Sequence, residues 1–294
     1  MLSTCALISD FFRLEITFLF RLAYNSEFLY KFATKFLKCK TINLMKKLIL
    51  MTVMILMAVR PATSLGYENN GDTDRLFHQW IAGTVVDESE VNRIGLDAWF
   101  QTEKIGDDIF ARMWKKSWKQ NCPLKRSDLR YLRMLHRNAE GKPQRGEMVV
   151  NAAIADKVLT IFCQLYQAGY RIERMVLIDN YDANDKTAMQ ANNSSSFNFR
   201  YITGSTTKIS KHGMGLAIDI NPLYNPYVRR KADGTWKIEP AISRKYAFNR
   251  NTRTDIPYKI THNDLAYKLF IKAGFKWGGN WKSLKDYQHF EIDL

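Results

Sequence analysis

Hydrophobic and polar positions alternate in two short stretches toward the end of the chain. In Leu216–Ile220, Leu216, Ile218 and Ile220 face one way while Ala217 and Asp219 face the other, the period of two expected of a strand with one face in a core. His289–Ile292 repeats the pattern, with Phe290 and Ile292 on the core side and His289 and Glu291 opposite. Other stretches follow the helical period. Ser127–Arg137 (SDLRYLRMLHR) offers a Ser/Asp N-cap and leucines at 129, 132 and 135, which predicts a helix with one apolar stripe. Val150–Gly169 predicts a longer helix and Asn263–Ala273 a third, closed by Gly274. Arg174–Ile178 (RMVLI) predicts a short buried strand. The mixture reads as α+β, with helices packed on a small, mainly antiparallel sheet around a cleft.

The amino-terminal part does not resemble a folded core. From Met45 the chain runs MKKLILMTVMILMAVRPATSLG: two lysines, the apolar run Leu48–Val59, then small residues at Ala62 and Ser64. That is the three-part pattern of a cleaved export signal, and the run is shorter than the ~20 residues that span a bilayer, so no stable membrane anchor is expected. Residues 1–44 precede it and are expected to be a start assigned too early. The rival reading is a true extension, since Phe11–Phe20 and Phe28–Leu37 are rich in Phe and Leu. Residues 65–105 are polar and turn-rich and predict a loosely attached lead-in with one or two short helices. The compact domain is expected over 106–294, as a monomer outside the cytoplasm.

Charge and cysteines narrow the partners. The formal net charge of the chain is +15; residues 65–294 keep 35 Lys/Arg against 26 Asp/Glu, a balance of +9. An anionic partner suits that balance. Nothing resembling an RGG run, zinc-finger spacing or basic helix supports nucleic acid, so the expectation is cell-wall polymer or membrane surface, the anionic partners outside the cytoplasm. Cys122 and Cys163 are the cysteines of the exported part, and a disulfide between them is permitted but not required.

The two alternating strands also carry chemistry. A buried carboxylate needs a cation, and Asp219 lies on the polar face of its strand. If the two strands are neighbours, His289 shares that face, and Gly213 and Gly215 free the loop that folds His212 over it. Two imidazoles and one carboxylate suit a single zinc ion and leave a fourth position open, the arrangement of a catalytic site. Such an ion acidifies water and polarises a carbonyl, but a proton acceptor is still required. Asp286, three residues before His289 in DYQHFEI, is placed to serve. His78, His136 and His262 lack such company and read as surface or packing residues.

SKHGMGLAIDINP and DYQHFEI resemble the signature of the M15 family of zinc peptidases, the D-alanyl-D-alanine carboxypeptidase-like enzymes and L-alanyl-D-glutamate endopeptidases that cut peptidoglycan stem peptides. CPLKRSDLRYL, GEMVVN, NNSSSFNFR, INPLYNPYV and GFKWGGNW extend the similarity over roughly residues 106–294. The resemblance implies a hedgehog/carboxypeptidase-like fold, zinc held by His212, Asp219 and His289, and Asp286 as the base. An aspartate at that position is more like the endopeptidase branch.

The polar segment 179–200 runs straight into the first motif and reads as a binding wall. Within it Arg200 is a candidate to grip a substrate carboxylate, or else to pair with Asp179, Asp182 or Asp185 and tie the segment down. Ser210 is a candidate hydrogen-bond partner near the metal, and Trp277 and Trp281 could wall the cleft or fill the core. The leading reading is an exported zinc peptidase acting on peptidoglycan peptides. The alternatives are a non-catalytic wall- or ligand-binding module on the same fold, against which Asp286 argues, and a structural envelope protein that would hold no zinc.

Overall fold

The computed structural model describes residues 80–202 and 204–294. The expected extension 1–44, the export signal 45–64, the lead-in as far as residue 79 and His78 lie outside them. Among the described residues, three small antiparallel sheets and five α-helices build an α+β fold.

The first sheet is β1 (Gln101–Lys104), β2 (Leu129–Arg137) and β3 (Pro143–Asn151) in chain order, with Leu132 opposite Met148. It corrects the helix predicted over Ser127–Arg137. β2 is the middle strand and is covered on both faces: Leu132 and Met134 belong to the main core, Leu129 and Tyr131 to a second cluster. A strand buried on both faces has no polar side to reveal its period, and leucines three apart then imitate a helical stripe.

Residues 80–105 are also not the loose lead-in expected. They include the short helix α1 (Glu88–Ile94), but Val86, Val91, Trp99 and Phe100 enter the main core and β1 pairs with β2. Beyond them α2 (Asp107–Met113) brings Arg112 to Glu147 of β3 in a two-pronged pair at 2.8 and 2.5 Å. The hydroxyl of Tyr131 at 2.7 Å and the amide of Leu177 at 3.2 Å also donate to that carboxylate. Glu147 is 1% exposed, and these bonds offset its desolvation while tying α2, β2, β3 and the 174–178 segment together.

α3 (Ala155–Gln167) begins later than the helix predicted from Val150, because Val150 and Asn151 finish β3 and the Asn151 side chain accepts from Ala153 N at 3.0 Å to start the following turn. Val158, Ile161, Phe162 and Leu165 form its buried stripe. Phe162 meets Phe270 of α5 (Leu265–Lys272) edge to face at 6.3 Å. The helix predicted there is present, with Asp264 accepting from Ala266 N at 2.9 Å and Gly274 in the left-handed region just beyond. The strand predicted at Arg174–Ile178 is instead a buried extended segment with no ladder: Asn193 substitutes for a neighbour, its side chain accepting from Val176 N and donating to Val176 O, each at 2.9 Å.

The second sheet sets β9 (His289–Glu291) between β4 (Ala217–Asp219) and β7 (Lys276–Trp277). The third sets β5 (Tyr227–Arg230) between β6 (Trp236–Glu239) and β8 (Lys285–Asp286). Cys122 and Cys163 are free thiols on the flanks of different clusters. Among the described residues no helix is long and apolar enough to cross a membrane.

His136, on β2, is 2% exposed and its Nδ1 donates to the Ile172 carbonyl at 2.6 Å. Burial lowers its pKa to about 4, against about 6.5 in an unfolded chain. Below the unfolded value only the unfolded chain takes up this proton, so stability is complete above about pH 6.5 and is lost as pH falls toward the folded value. Urea unfolding near pH 7 and near pH 5 should show wild type losing about 2 kcal/mol more than His136→Gln across that interval. Equal losses would remove His136 as the cause.

Candidate metal centre

His212 opens a single 3-10 turn, His212–Met214. Ser210 Oγ accepts from Gly213 N at 2.9 Å and Ser210 O from Met214 N at 3.1 Å, which winds the turn tightly. The glycines here do more than free a loop. A Cβ on Gly213 would lie 2.7 Å from the Arg200 carbonyl, and Gly215 combines φ +67° with a Cβ position 2.7 Å from Asn151 N. Both are sites of close backbone approach that a side chain would push apart.

Asp219 and His289 are direct cross-strand partners in the β4–β9 ladder, as their shared polar face requires. On its other side Asp219 exchanges both backbone hydrogen bonds with Ser195, at 2.9 and 3.1 Å. Ser195 thus bridges the edge of the sheet, and most of the polar run 192–199 is buried: Asn192, Asn193, Ser194, Ser196 and Asn198 are each at most 3% exposed. Its side chains serve backbone groups, as when Ser194 Oγ accepts from Asn221 N at 3.1 Å. The expected wall is a largely buried, hydrogen-bonded segment beside the site, and Asn193, Ser195 and Arg200 line the cleft.

Three donor atoms converge. His212 Nε2 lies 3.1 Å from His289 Nδ1 and 3.3 Å from Asp219 Oδ1, and His289 Nδ1 is 3.1 Å from the same oxygen. A tetrahedral zinc ion with bonds of about 2.0–2.1 Å would hold its ligand atoms about 3.3 Å apart, so these three residues fit the ion as they stand. The outer ring atoms are already committed. His212 Nδ1 donates to Ser196 O at 2.8 Å and His289 Nε2 to Glu291 Oε2 at 3.0 Å, which leaves the inner lone pairs pointing at one place.

Glu291 was legible as a residue on the same face as His289 but not as its hydrogen-bond partner. The His-x-Glu spacing on a strand was the available signal. The Ser196 carbonyl left no trace in side-chain identities.

The electrostatics call for positive charge. Burial would raise the Asp219 pKa, yet the charge and hydrogen bonds of His212 and His289 outweigh it and hold the carboxyl well below its usual range. Burial likewise lowers His289, but its bonds to Asp219 and Glu291 win and raise it to about 10. A proton on His289 or a dication between the ligands can supply the same need. Glu291 is lowered by its bond to His289.

Asp286 sits on β8, in the third sheet, and lines the same cleft of about 540 Å³ as the three ligands. Burial raises its pKa to about 6, with Gln288 Nε2 donating to Oδ1 at 3.2 Å. A carboxylate poised there can exchange protons near neutral pH. Arg200 and Ser210 also line the cleft. Arg200 Nε is 3.3 Å from Asp185, the pairing weighed as its alternative role, and Asp185 opens α4 (Asp185–Gln190). The two tryptophans divide: Trp277 is buried, its Nε1 donating to Tyr287 O at 2.9 Å, while the Trp281 ring lies 5.3 Å from that of His289. His262 bonds Asn280 at 2.8 Å and packs on Trp277, away from the ligands.

Residues 203–292 match the family model described as D-alanyl-D-alanine carboxypeptidase. The chain is 35% identical over 85 residues to the peptidoglycan L-alanyl-D-glutamate endopeptidase CwlK of Bacillus subtilis (strain 168), a match covering 28% of this chain and 39% of that protein. The chain therefore spans well under half the length of this relative. No solved structure matches. The matched segment is shorter than the 106–294 over which the motifs suggested similarity, but it contains both motifs. Residues 203–292, with His212, Asp219, Asp286 and His289 all inside, are similar to the M15 peptidase family.

Proposed function

We propose that this protein is an exported zinc peptidase that hydrolyses amide bonds in peptidoglycan stem peptides. One observation carries the reading: two imidazole lone pairs with committed outer partners and one carboxylate oxygen converge in a cleft also lined by a half-buried carboxylate, Asp286, that is not itself one of the donors. His212, Asp219 and His289 would hold a single zinc ion. When bound, the ion supplies a Lewis acid that acidifies water and polarises a carbonyl. Asp286 takes the proton from the attacking water and returns it to the leaving amine. Ser196 O and Glu291 keep the imidazoles in the required tautomers. The cleft walls orient the peptide, with Arg200 and Ser210 as candidate contacts. The Met45–Ser64 pattern supports export, and the endopeptidase activity in the name of the matched relative supports a wall peptide as substrate. Digestion of purified peptidoglycan, with products identified by mass, tests the reading. New glutamate amino termini mark an endopeptidase and free D-alanine a carboxypeptidase; intact wall would defeat both.

His212→Ala and His289→Ala should each lose zinc along with activity, because two remaining protein ligands leave the ion mostly hydrated. Metal analysis beside turnover decides this. Full occupancy in either variant would mean the ligands are others.

Asp286→Asn keeps the size of the side chain but cannot accept a proton. It should fold, bind zinc near normally and lose roughly 10²–10⁴-fold in turnover. Wild-type activity should fall as pH drops through the Asp286 pKa, since the protonated carboxyl is no base, and that acidic limb should vanish in the residual activity of the variant. Near wild-type turnover would favour the non-catalytic binding module.

A further inference from the structure

The β5–β6 hairpin forms one wall of the cleft, and its two faces differ. Val228 and Ile238, directly opposite each other, pack with Ala247 in a small core of their own. The other face turns to the cleft, where Tyr227, Lys237 and Glu239 line the cavity. Arg229 is the cross-strand partner of Lys237 and so shares that face. Moving outward from the base, Tyr227 stands opposite Asp286 in the β5–β8 ladder, and Arg229 lies two residues beyond, a span of about 7 Å along a strand.

Like charges set directly opposite on a two-stranded ribbon are destabilising. Lys237 is partly offset by Glu239, whose carboxylate is 3.0 Å from Nζ, and it lies over the Tyr227 ring at 5.5 Å. Arg229 is exposed and makes no ion pair among the described residues. Lys231 at the hairpin end adds charge. Asp233 at the tip is turned inward on Thr235, accepting from its amide at 2.9 Å and its hydroxyl at 2.6 Å. Across the cleft Arg200 is already held by Asp185. Lys186, next to Asp185, also lines the cleft without an ion pair among the described residues, so what sets the hairpin apart is two cations on one face, Lys237 lining the cavity and Arg229 beside it, at a fixed distance from Asp286.

We propose that Arg229 and Lys237 form a subsite for a free carboxylate on the residue next to the bond that is cut; the inference rests on the peptidase reading. The guanidinium supplies a planar fork of donors suited to a carboxylate and Lys237 a second positive charge. A peptide whose carboxylate is amidated loses both attractions and leaves the two cations facing each other.

The test uses two peptides spanning an L-alanyl–D-glutamate bond, identical except that the free carboxylate of the glutamate is present or amidated. Equilibrium binding to the full-length protein is measured with the metal chelated, and cleavage is measured separately with zinc restored. Wild type should bind the free carboxylate about tenfold more tightly. The preference should collapse in Arg229→Gln and reverse in favour of the amidated peptide in the Arg229→Glu, Lys237→Glu double variant. Equal binding of the two peptides by wild type, no binding of either, or a preference that survives in Arg229→Gln overturns the subsite. Discrimination in binding without cleavage by the zinc-loaded protein would leave the subsite standing and count against the peptidase reading instead.

Discussion

Asp219 carries a negative charge into a region where burial disfavours it, and two imidazoles keep it ionised there. That interaction depends on the antiparallel register that sets Asp219 opposite His289. A slip of one residue would turn His289 into the core and Phe290 into the cleft, since successive side chains alternate in facing. The register is in turn held by apolar residues on the reverse side. Ile218 and Phe290 are opposite one another and fully buried, and Phe290 stacks on Phe270 of α5 at 4.5 Å. Packing on one face of the sheet thereby fixes chemistry on the other.

Around this pairing the interior is unusually polar, and the polarity has a structural task. Asn193 completes an extended segment that joins no ladder, Ser194 caps the turn after β4, and Glu147 gathers three elements around one carboxylate. Buried polar groups are costly when unpaired and confer specificity when satisfied. Here they hold the segment that passes beside Asp219, so the site rests on hydrogen bonds as well as on apolar contact.

The parts legible in the sequence were those in which one residue type marks one face. Leu216–Ile220 and His289–Ile292 each have a core side and a polar side, so their pairing and the gathering of His212, Asp219 and His289 followed from alternation and two glycines. Asn263–Gly274 carried its own start and stop. β2 was hidden because both faces are covered, which erased the period of two. Residues 80–105 were hidden because a few inward apolar side chains among many polar ones do not alter the composition. The run NNSSSFNF reads as part of a binding wall, and its burial was hidden because burial of such residues depends on backbone partners distant in sequence. Glu291 lay in view, but its bond to His289 is a matter of geometry within a strand.

The residues from Lys285 to Glu291 cross from one sheet to another: Asp286 belongs to the sheet of the hairpin, and His289 to the sheet of the ligands. Wall and centre are thus separate building blocks joined by a short splice. The hairpin tip at 231–235 can change in length or sequence without disturbing β4 or β9, whereas the Tyr227–Asp286 pairing marks where such freedom stops. A fold divided in this way can diversify what it admits while conserving how it acts, and grafts at the tip are the natural place to redirect it.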